Sequence, residues 1–178
     1  MTKRRLVLTG LGVSLLAAAG AVTYRKSTVV ITSIPEMQAQ LANLKLNKLV
    51  SQSGWQPYKV FVHLAQSIEY SMTGYPEMKP PAFQKTAGSA AFYAFSVAGA
   101  MTHNLTEPIP GAPVIADDGD VNAGIDMLIA ALQKFENHAG EIKPHFAYGS
   151  LSKAEFAQAH VMHIENHLKL IKSTQSVA

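Results

Sequence analysis

The sequence predicts an all-α protein: an antiparallel four-helix bundle with an extra helix rich in small residues and a long proline-rich loop. Three observations support this fold class. Four segments repeat apolar residues at helical spacing, glycine and proline interrupt the chain between them, and no convincing strand pattern occurs beyond the β-branched run at 27–33. Helices of this kind bury their apolar stripes against one another, which produces a bundle.

The first two helices follow from apolar spacing and from helix-breaking residues. The first is predicted over 35–50, because proline is accepted at a helix start and apolar residues then recur at helical spacing. The segment SQSGWQP interrupts it. The second helix is predicted over 58–72 and ends at Gly74, since the sequence GYPEMKPP cannot continue a helix.

Two unusual segments occupy the middle of the chain. Residues 82–103 carry no charge after Lys85 and are rich in Ala, Gly and Ser. Because the apolar content comes mostly from small residues, we expect a tightly packed, buried helix rather than a membrane span. Residues 104–120 contain three prolines and form a loop. Loops of this length are usually functional covers, so we expect this one to form a wall of the site.

The last two helices have clear boundaries. The first of them is predicted over 121–139 because five apolar residues form one i, i+3, i+4, i+7 stripe. These residues are Ile125, Leu128, Ile129, Leu132 and Phe135. Ser152 and Glu155 have the spacing of a capping box, and they begin a final helix that is predicted to end at about Lys172.

The N-terminal segment 1–26 has the layout of an export signal: a basic start, an apolar stretch and then small residues. Arg4 and Arg5, followed by LVL, resemble a bacterial twin-arginine signal. We therefore expect the twin-arginine translocation machinery as a partner and the periplasm as the location. The alternative is a short membrane anchor, which also leaves residues 27–178, predicted as a single domain, facing the periplasm.

Charge and cysteine content exclude several classes of function. The net charge is +3, but five of the 15 basic residues lie within the first 26 positions. The remainder has ten lysines, no arginine and all 12 acids, a net charge of −2, so no nucleic-acid partner is expected. The absence of cysteine excludes disulfides, thiolate zinc sites, thiol nucleophiles and a lipid-modified lipoprotein.

The segment AHVMHIENHL places three histidines on one helix. At about 100° per residue, His160, His163 and His167 lie within roughly a 60° arc on the same side as the apolar Phe156. Buried imidazoles without partners are costly, and a metal ion would satisfy several of them at once. His163 and His167, four residues apart, are best placed to share that ion. The alternative is a set of hydrogen-bonded core histidines.

A third ligand must come from another element. His63 is the best candidate because it lies in the interior of a predicted helix, although the helical projection places it off the apolar face, with Ser67 and Tyr70. Those two residues are candidates for a pocket. The other histidines lie at predicted helix ends or in loops: His103, His138 and His145.

The segments HLAQSIEYSMTGYP and HFAYGSLSKAEFAQAHVMHIENHL resemble the DinB/YfiT-like clan of metalloenzymes, and most closely a branch of exported bacterial proteins of unknown function. The likeness covers about 35–173. It implies a four-helix bundle in which His63, His163 and His167 bind a divalent metal and leave positions open for water or substrate. His160 matches no ligand in this pattern. We expect it to orient a ligand.

Three neutral imidazoles with an open coordination position suit zinc, nickel or iron. A metal held in this way lowers the pKa of bound water, which predicts a metal-dependent hydrolase or transferase acting on an unknown small molecule. Tyr70 and Glu69 are candidates for proton transfer. The alternative is a non-catalytic periplasmic bundle that binds metal or a small ligand, with His160 as a fourth ligand. Haem binding has less support because the sequence lacks C-x-x-C-H.

Overall fold

The computed structural model describes residues 32–174, and this part of the chain is mostly helical with one small two-stranded sheet. Its elements in order are α1 (Ile34–Leu44), β1 (Lys48–Ser51), α2 (Pro57–Thr73), α3 (Pro81–Phe83), a π-helical turn (Gln84–Gly88), α4 (Ser89–Ala98), α5 (Val121–Asn137), α6 (Lys153–Leu168) and β2 (Ile171–Thr174). The predicted export segment lies outside the described residues. Within 32–174, no helix is both long enough and apolar enough to cross a membrane.

Local sequence sets most of the helix boundaries. The predicted capping box is confirmed: Ser152 Oγ accepts a hydrogen bond from the Glu155 backbone N–H, and Glu155 Oε2 accepts one from the Ser152 N–H at 2.8 Å. Ser33 begins α1 in the same way. The prediction that the second helix ends at Gly74 is also confirmed, and this residue has a φ of 100°, which favours glycine.

The small sheet corrects two predicted helix ends. The first helix ends at Leu44 rather than Val50, and the last ends at Leu168 rather than Lys172, because residues beyond both ends form strands. β1 and β2 pair antiparallel, with Val50 opposite Lys172. Their backbone groups are thereby hydrogen-bonded to each other, and the buried Leu49 joins the core.

The core lies among the four longer helices. α2 packs against α5 and α6, and α1 also contacts both α5 and α6. The predicted apolar stripe of α5 is buried, with Ile129 partly so. The largest buried side chains include Phe61, Phe135 and Phe156, and each contributes about 1.5–3 kcal/mol by leaving water. This core holds α2 and α6, which carry the histidines, at fixed positions relative to each other.

The prediction that 82–103 forms a buried helix is wrong. The segment is helical to Ala98, but among its described residues only Gly88 and Phe92 are buried before the chain leaves the helix, so it lies on the surface against α6. Its small residues permit one close approach, since a Cβ on Gly88 would lie 1.9 Å from the Ala147 carbonyl oxygen. The Gln84 amide nitrogen donates to the Phe146 carbonyl at 3.1 Å and ties the same loop to this segment.

Candidate metal centre

Three histidines from two helices converge in the core. His63 comes from α2, and His163 and His167 come from successive turns of α6. One ring nitrogen from each lies within 4.8 Å of the other two, and the ring centroids are 5.0–5.3 Å apart. This arrangement could hold a metal ion. The structure therefore brings together the three residues that the spacing on α6 and the family resemblance indicate.

The position of His63 has a simple explanation in the packing of α2. A helical projection finds a single apolar face and places His63 off it. However, α2 contacts two neighbouring helices and is buried over most of its surface, so a residue off that face can also be buried. Phe61 lies against Gly124 of α5, whereas the ring of His63 lies against that of His163 in α6. Trp55 covers His63 from another direction, with ring centroids 5.2 Å apart. His63 is consequently only 3% exposed.

The chemistry of the cluster fits a metal. Nδ1 of His63 and both ring nitrogens of His167 are buried and have no hydrogen-bond partner within the described residues. A buried polar atom without a partner costs about 1–3 kcal/mol. Coordination would satisfy one nitrogen of each ring, and imidazole nitrogen suits zinc, nickel and iron.

Burial keeps these rings neutral. Burial, and then the positive charge of the nearby His103, lower the pKa of His63 to about 4. Burial, and then the neighbouring histidines, lower the pKa of His167 to about 3 and that of His163 well below its usual value. At neutral pH each ring therefore has a lone pair available for coordination.

A fourth histidine that the sequence reasoning passed over also reaches the cluster. His103 lies in the loop after α4, and its ring centroid is 4.8 Å from that of His163 and 5.4 Å from that of His167. Its Nδ1 lies 3.0 Å from the side-chain nitrogen of Asn166. Periodicity carries no signal for such a residue. The sequence offered one indication that His103 belongs to the site: it directly precedes the loop 104–120, which is predicted to form a wall of that site.

His160 has a different environment from the other three histidines of α6 and α2. Ser71 Oγ donates to the Ile68 carbonyl at 2.6 Å, so it accepts from Nε2–H of His160 at 3.2 Å. Phe135 meets the His160 ring edge-on at 4.9 Å between centroids. Burial lowers the pKa of His160 to about 3. His160 lies outside the converging group of three, and Ser71 already engages its Nε2.

A cavity of about 220 Å³ lies beside the cluster. His63 and His163 line it, and so do residues 107–110 of the proline-rich loop. Residues 145–148 form a further part of the lining. Ser67, one turn after His63, also lines the cavity.

Tyr70 does not line this cavity. It lies seven residues, about 10 Å along the helix axis, from His63 and borders a separate groove with Glu69 and Lys134. Glu69 forms an ion pair with Lys134 at 2.6 Å. The two proton-transfer candidates from the sequence thus lie away from the histidine cluster.

The loop at 145–149 supplies a polar group that the sequence reasoning missed. His145 Nδ1 accepts hydrogen bonds from the backbone N–H groups of Ala147 and Tyr148 at 3.1 and 3.2 Å. Its ring stacks on Tyr148 with centroids 4.2 Å apart. Burial raises the pKa of Tyr148 to about 12, and its hydroxyl contacts Met101 Sδ at 4.0 Å. Tyr148, which carries this protonated hydroxyl, is one of the residues that line the cavity.

The chain is thus a mostly helical protein with a buried cluster of three histidines that could hold a metal ion. Residues 24–174 match the family described as "Protein of unknown function (DUF1569)", and the chain belongs to this family. Comparisons with curated proteins and with solved structures gave no match. The family description names no activity, so the function has to be argued from the site.

Proposed function

We propose that this protein binds one divalent metal ion, zinc, nickel or iron, through His63, His163 and His167. The observation that carries the proposal is the convergence of three ring nitrogens within 4.8 Å of one another. Two further facts support it. Unpartnered buried nitrogens on His63 and His167 need a partner, and the low pKa values of the three rings keep them unprotonated.

We propose that the ion keeps an open coordination position toward the cavity and that the protein is a metal-dependent hydrolase or transferase. The support is that His63 and His163 line the cavity. When bound, a metal with three histidine ligands supplies Lewis acidity and lowers the pKa of bound water. The described residues that line the cavity include one acid, Glu107, and no Lys or Arg. A substrate in this cavity would accordingly meet no cationic side chain among the described residues.

One observation favours the alternative, a non-catalytic bundle that binds metal or a small ligand. Glu69 and Tyr70, the acid–base candidates on α2, lie away from the cavity. A catalyst would have to use another group, such as the Tyr148 hydroxyl, for proton transfer. Turnover of model esters by the metal-loaded protein, lost in Tyr148→Phe with metal content unchanged, supports catalysis. Metal binding without turnover of any ester or amide supports the alternative.

We propose that α1, α2, α5 and α6 form a DinB-like four-helix bundle. The support is the pattern of contacts, in which α1 and α2 each pack against both α5 and α6. A further similarity is the placement of one histidine on the second long helix and an H-x-x-x-H pair on the last. A crystal structure that superimposes on clan members with the histidines aligned would establish the kinship.

We also propose that residues 1–26 direct the chain to the twin-arginine machinery and that the body works in the periplasm. The support is the sequence alone: Arg4 and Arg5 before an apolar stretch. Expression of the full chain in a bacterial host and fractionation of the cells tests this. Export should be abolished in the Arg4→Lys/Arg5→Lys variant, and unchanged export of that variant would contradict the twin-arginine route.

Elemental analysis tests the metal site itself. The protein is purified without an affinity tag, loaded with zinc and freed of excess ion by gel filtration. We expect one zinc per chain in the wild type and substantially less in His63→Ala, His163→Ala and His167→Ala, because two imidazoles bind more weakly than three. His138→Ala, a change at the end of α5 outside the cavity, is the control and should retain zinc. Full occupancy in His63→Ala would contradict the proposal.

A further inference from the structure

His103 is a further histidine beside the cavity. It is an exposed residue of the loop after α4, yet it lines the cavity and its ring lies against His163 and His167. The described groups that could coordinate one ion together are His63, His163 and His167, and His103 does not belong to that set. Its ring therefore lies against two of the candidate ligands without belonging to the group of three.

Asn166 fixes the protonation of the His103 ring. The Asn166 amide nitrogen can only donate, so at 3.0 Å it donates to Nδ1 of His103. A neutral imidazole that accepts at Nδ1 carries its proton on Nε2. The orientation of the Asn166 amide thus makes Nε2–H of His103 a hydrogen-bond donor. Asn166 is only 6% exposed and directly precedes His167, so the donor is fixed to the same helix as two of the candidate ligands.

The charge of the cavity lining gives this donor a possible role. Its described lining has no Lys or Arg, so a negative or strongly polar atom bound there would depend on neutral donors. Preorganised neutral donors beside a metal stabilise an oxygen atom on which negative charge develops. His103 lies beside the cluster of three histidines without belonging to it. It is also exposed to solvent.

We propose that His103 donates a hydrogen bond from Nε2 to the small oxygen ligand or anion that occupies the open coordination position, and that Asn166 is the positioning residue that fixes its tautomer. This inference rests on the metal site proposed above. It specifies the ligand class as a molecule that presents a hydrogen-bond acceptor, such as a carbonyl oxygen or a small anion, next to the metal.

Azide binding to the cobalt(II)-loaded, full-length protein tests the donor. Azide is a small anion that takes an open coordination position, and cobalt(II) reports its binding by visible absorption. We expect His103→Ala to weaken azide binding about tenfold, the loss of one hydrogen bond to a charged ligand, with cobalt stoichiometry unchanged. His103→Gln should stay within about threefold of the wild type, because its amide nitrogen replaces Nε2–H. His138→Ala is the matched control and should bind azide normally.

Each outcome has a separate meaning. If the wild type takes up no cobalt, the metal site fails and this inference fails with it. If His103→Ala retains cobalt and binds azide as tightly as the wild type, only the donor role is wrong. If His103→Ala loses its cobalt, His103 is a ligand instead, which also overturns the inference.

The role of Asn166 has an independent readout in the tautomer of His103. In the zinc-loaded, ¹⁵N-labelled wild type, NMR should show the proton on Nε2 of His103. In Asn166→Asp, the carboxylate accepts from Nδ1–H, so the proton should move to Nδ1. A proton on Nδ1 of His103 in the wild type would overturn the assignment, and so would an Asn166→Asp spectrum in which the tautomer is unchanged.

Discussion

Substitution of His160 by glutamine should make the metal-free protein less sensitive to acid. Burial lowers the pKa of His160 to about 3, so its ring stays neutral in the folded state while the unfolded chain takes up a proton near pH 6.5. The free energy of unfolding therefore does not suffer from His160 above about pH 6.5. It falls as the pH drops below that value, because only the unfolded chain takes up the proton. Glutamine does not titrate, and its amide nitrogen can still donate to Ser71 Oγ in place of Nε2.

The size of the effect follows from linkage. At pH 5.5, one pH unit below the unfolded-state pKa, each histidine that stays neutral in the fold costs about 1.4 kcal/mol of unfolding free energy. Four buried histidines have a pKa lowered to about 3 or 4, namely His63, His145, His160 and His167. Together they cost about 6 kcal/mol, a large share of the 5–15 kcal/mol typical of a domain.

Urea unfolding followed by circular dichroism, in EDTA at pH 7.5 and 5.5, measures this effect. Between the two pH values, His160→Gln should lose about 1.4 kcal/mol less than the wild type. His138→Gln, outside the cavity, is the control and should lose as much as the wild type. If His160→Gln loses the same free energy as the wild type, His160 is not held neutral in the folded protein and the reasoning fails.

Three further predictions concern the scaffold and the metal. Gly88→Ala should lower the free energy of unfolding in urea by about 1–3 kcal/mol. The new Cβ would lie 1.9 Å from the Ala147 carbonyl oxygen, so the backbone would have to move. A change under about 0.3 kcal/mol would contradict this close contact. Ser152→Ala should cost about 1 kcal/mol by removing the capping box of α6, and an unchanged unfolding midpoint would count against that role. Zinc at 100 times its Kd should stabilise the wild type by about 2.7 kcal/mol, seen as a higher Tm, whereas a Tm that rises equally in His167→Ala would place the zinc elsewhere.

Local patterns in the sequence predicted the parts of the site that depend on one element. The capping box at Ser152 and the four-residue spacing of His163 and His167 both act within α6, so the sequence predicts them directly. His63 was the best candidate from its place inside a predicted helix, but the helical projection counted against it, because a projection with one apolar centre cannot represent a helix with two neighbours.

Features that depend on tertiary structure could not be predicted. His103 and Tyr148 lie in loops, where no periodicity indicates which way a side chain points. The strands have four residues each and pair across more than a hundred residues of chain, so neither shows an alternating pattern long enough to detect. The prediction of a buried helix over 82–103 was wrong for another reason. Small apolar residues suit both a buried helix and a surface helix that makes one close contact at Gly88.

X-ray absorption spectroscopy at the zinc K-edge tests the three-histidine metal centre itself, because it counts the imidazole rings bound to the ion. The wild-type protein loaded with one equivalent of zinc should show three imidazole nitrogens at about 2.0–2.1 Å and an additional light-atom ligand in the open position. His63→Ala should show two imidazoles or no ordered site. A wild-type spectrum with at most one imidazole would contradict a metal centre formed by His63, His163 and His167.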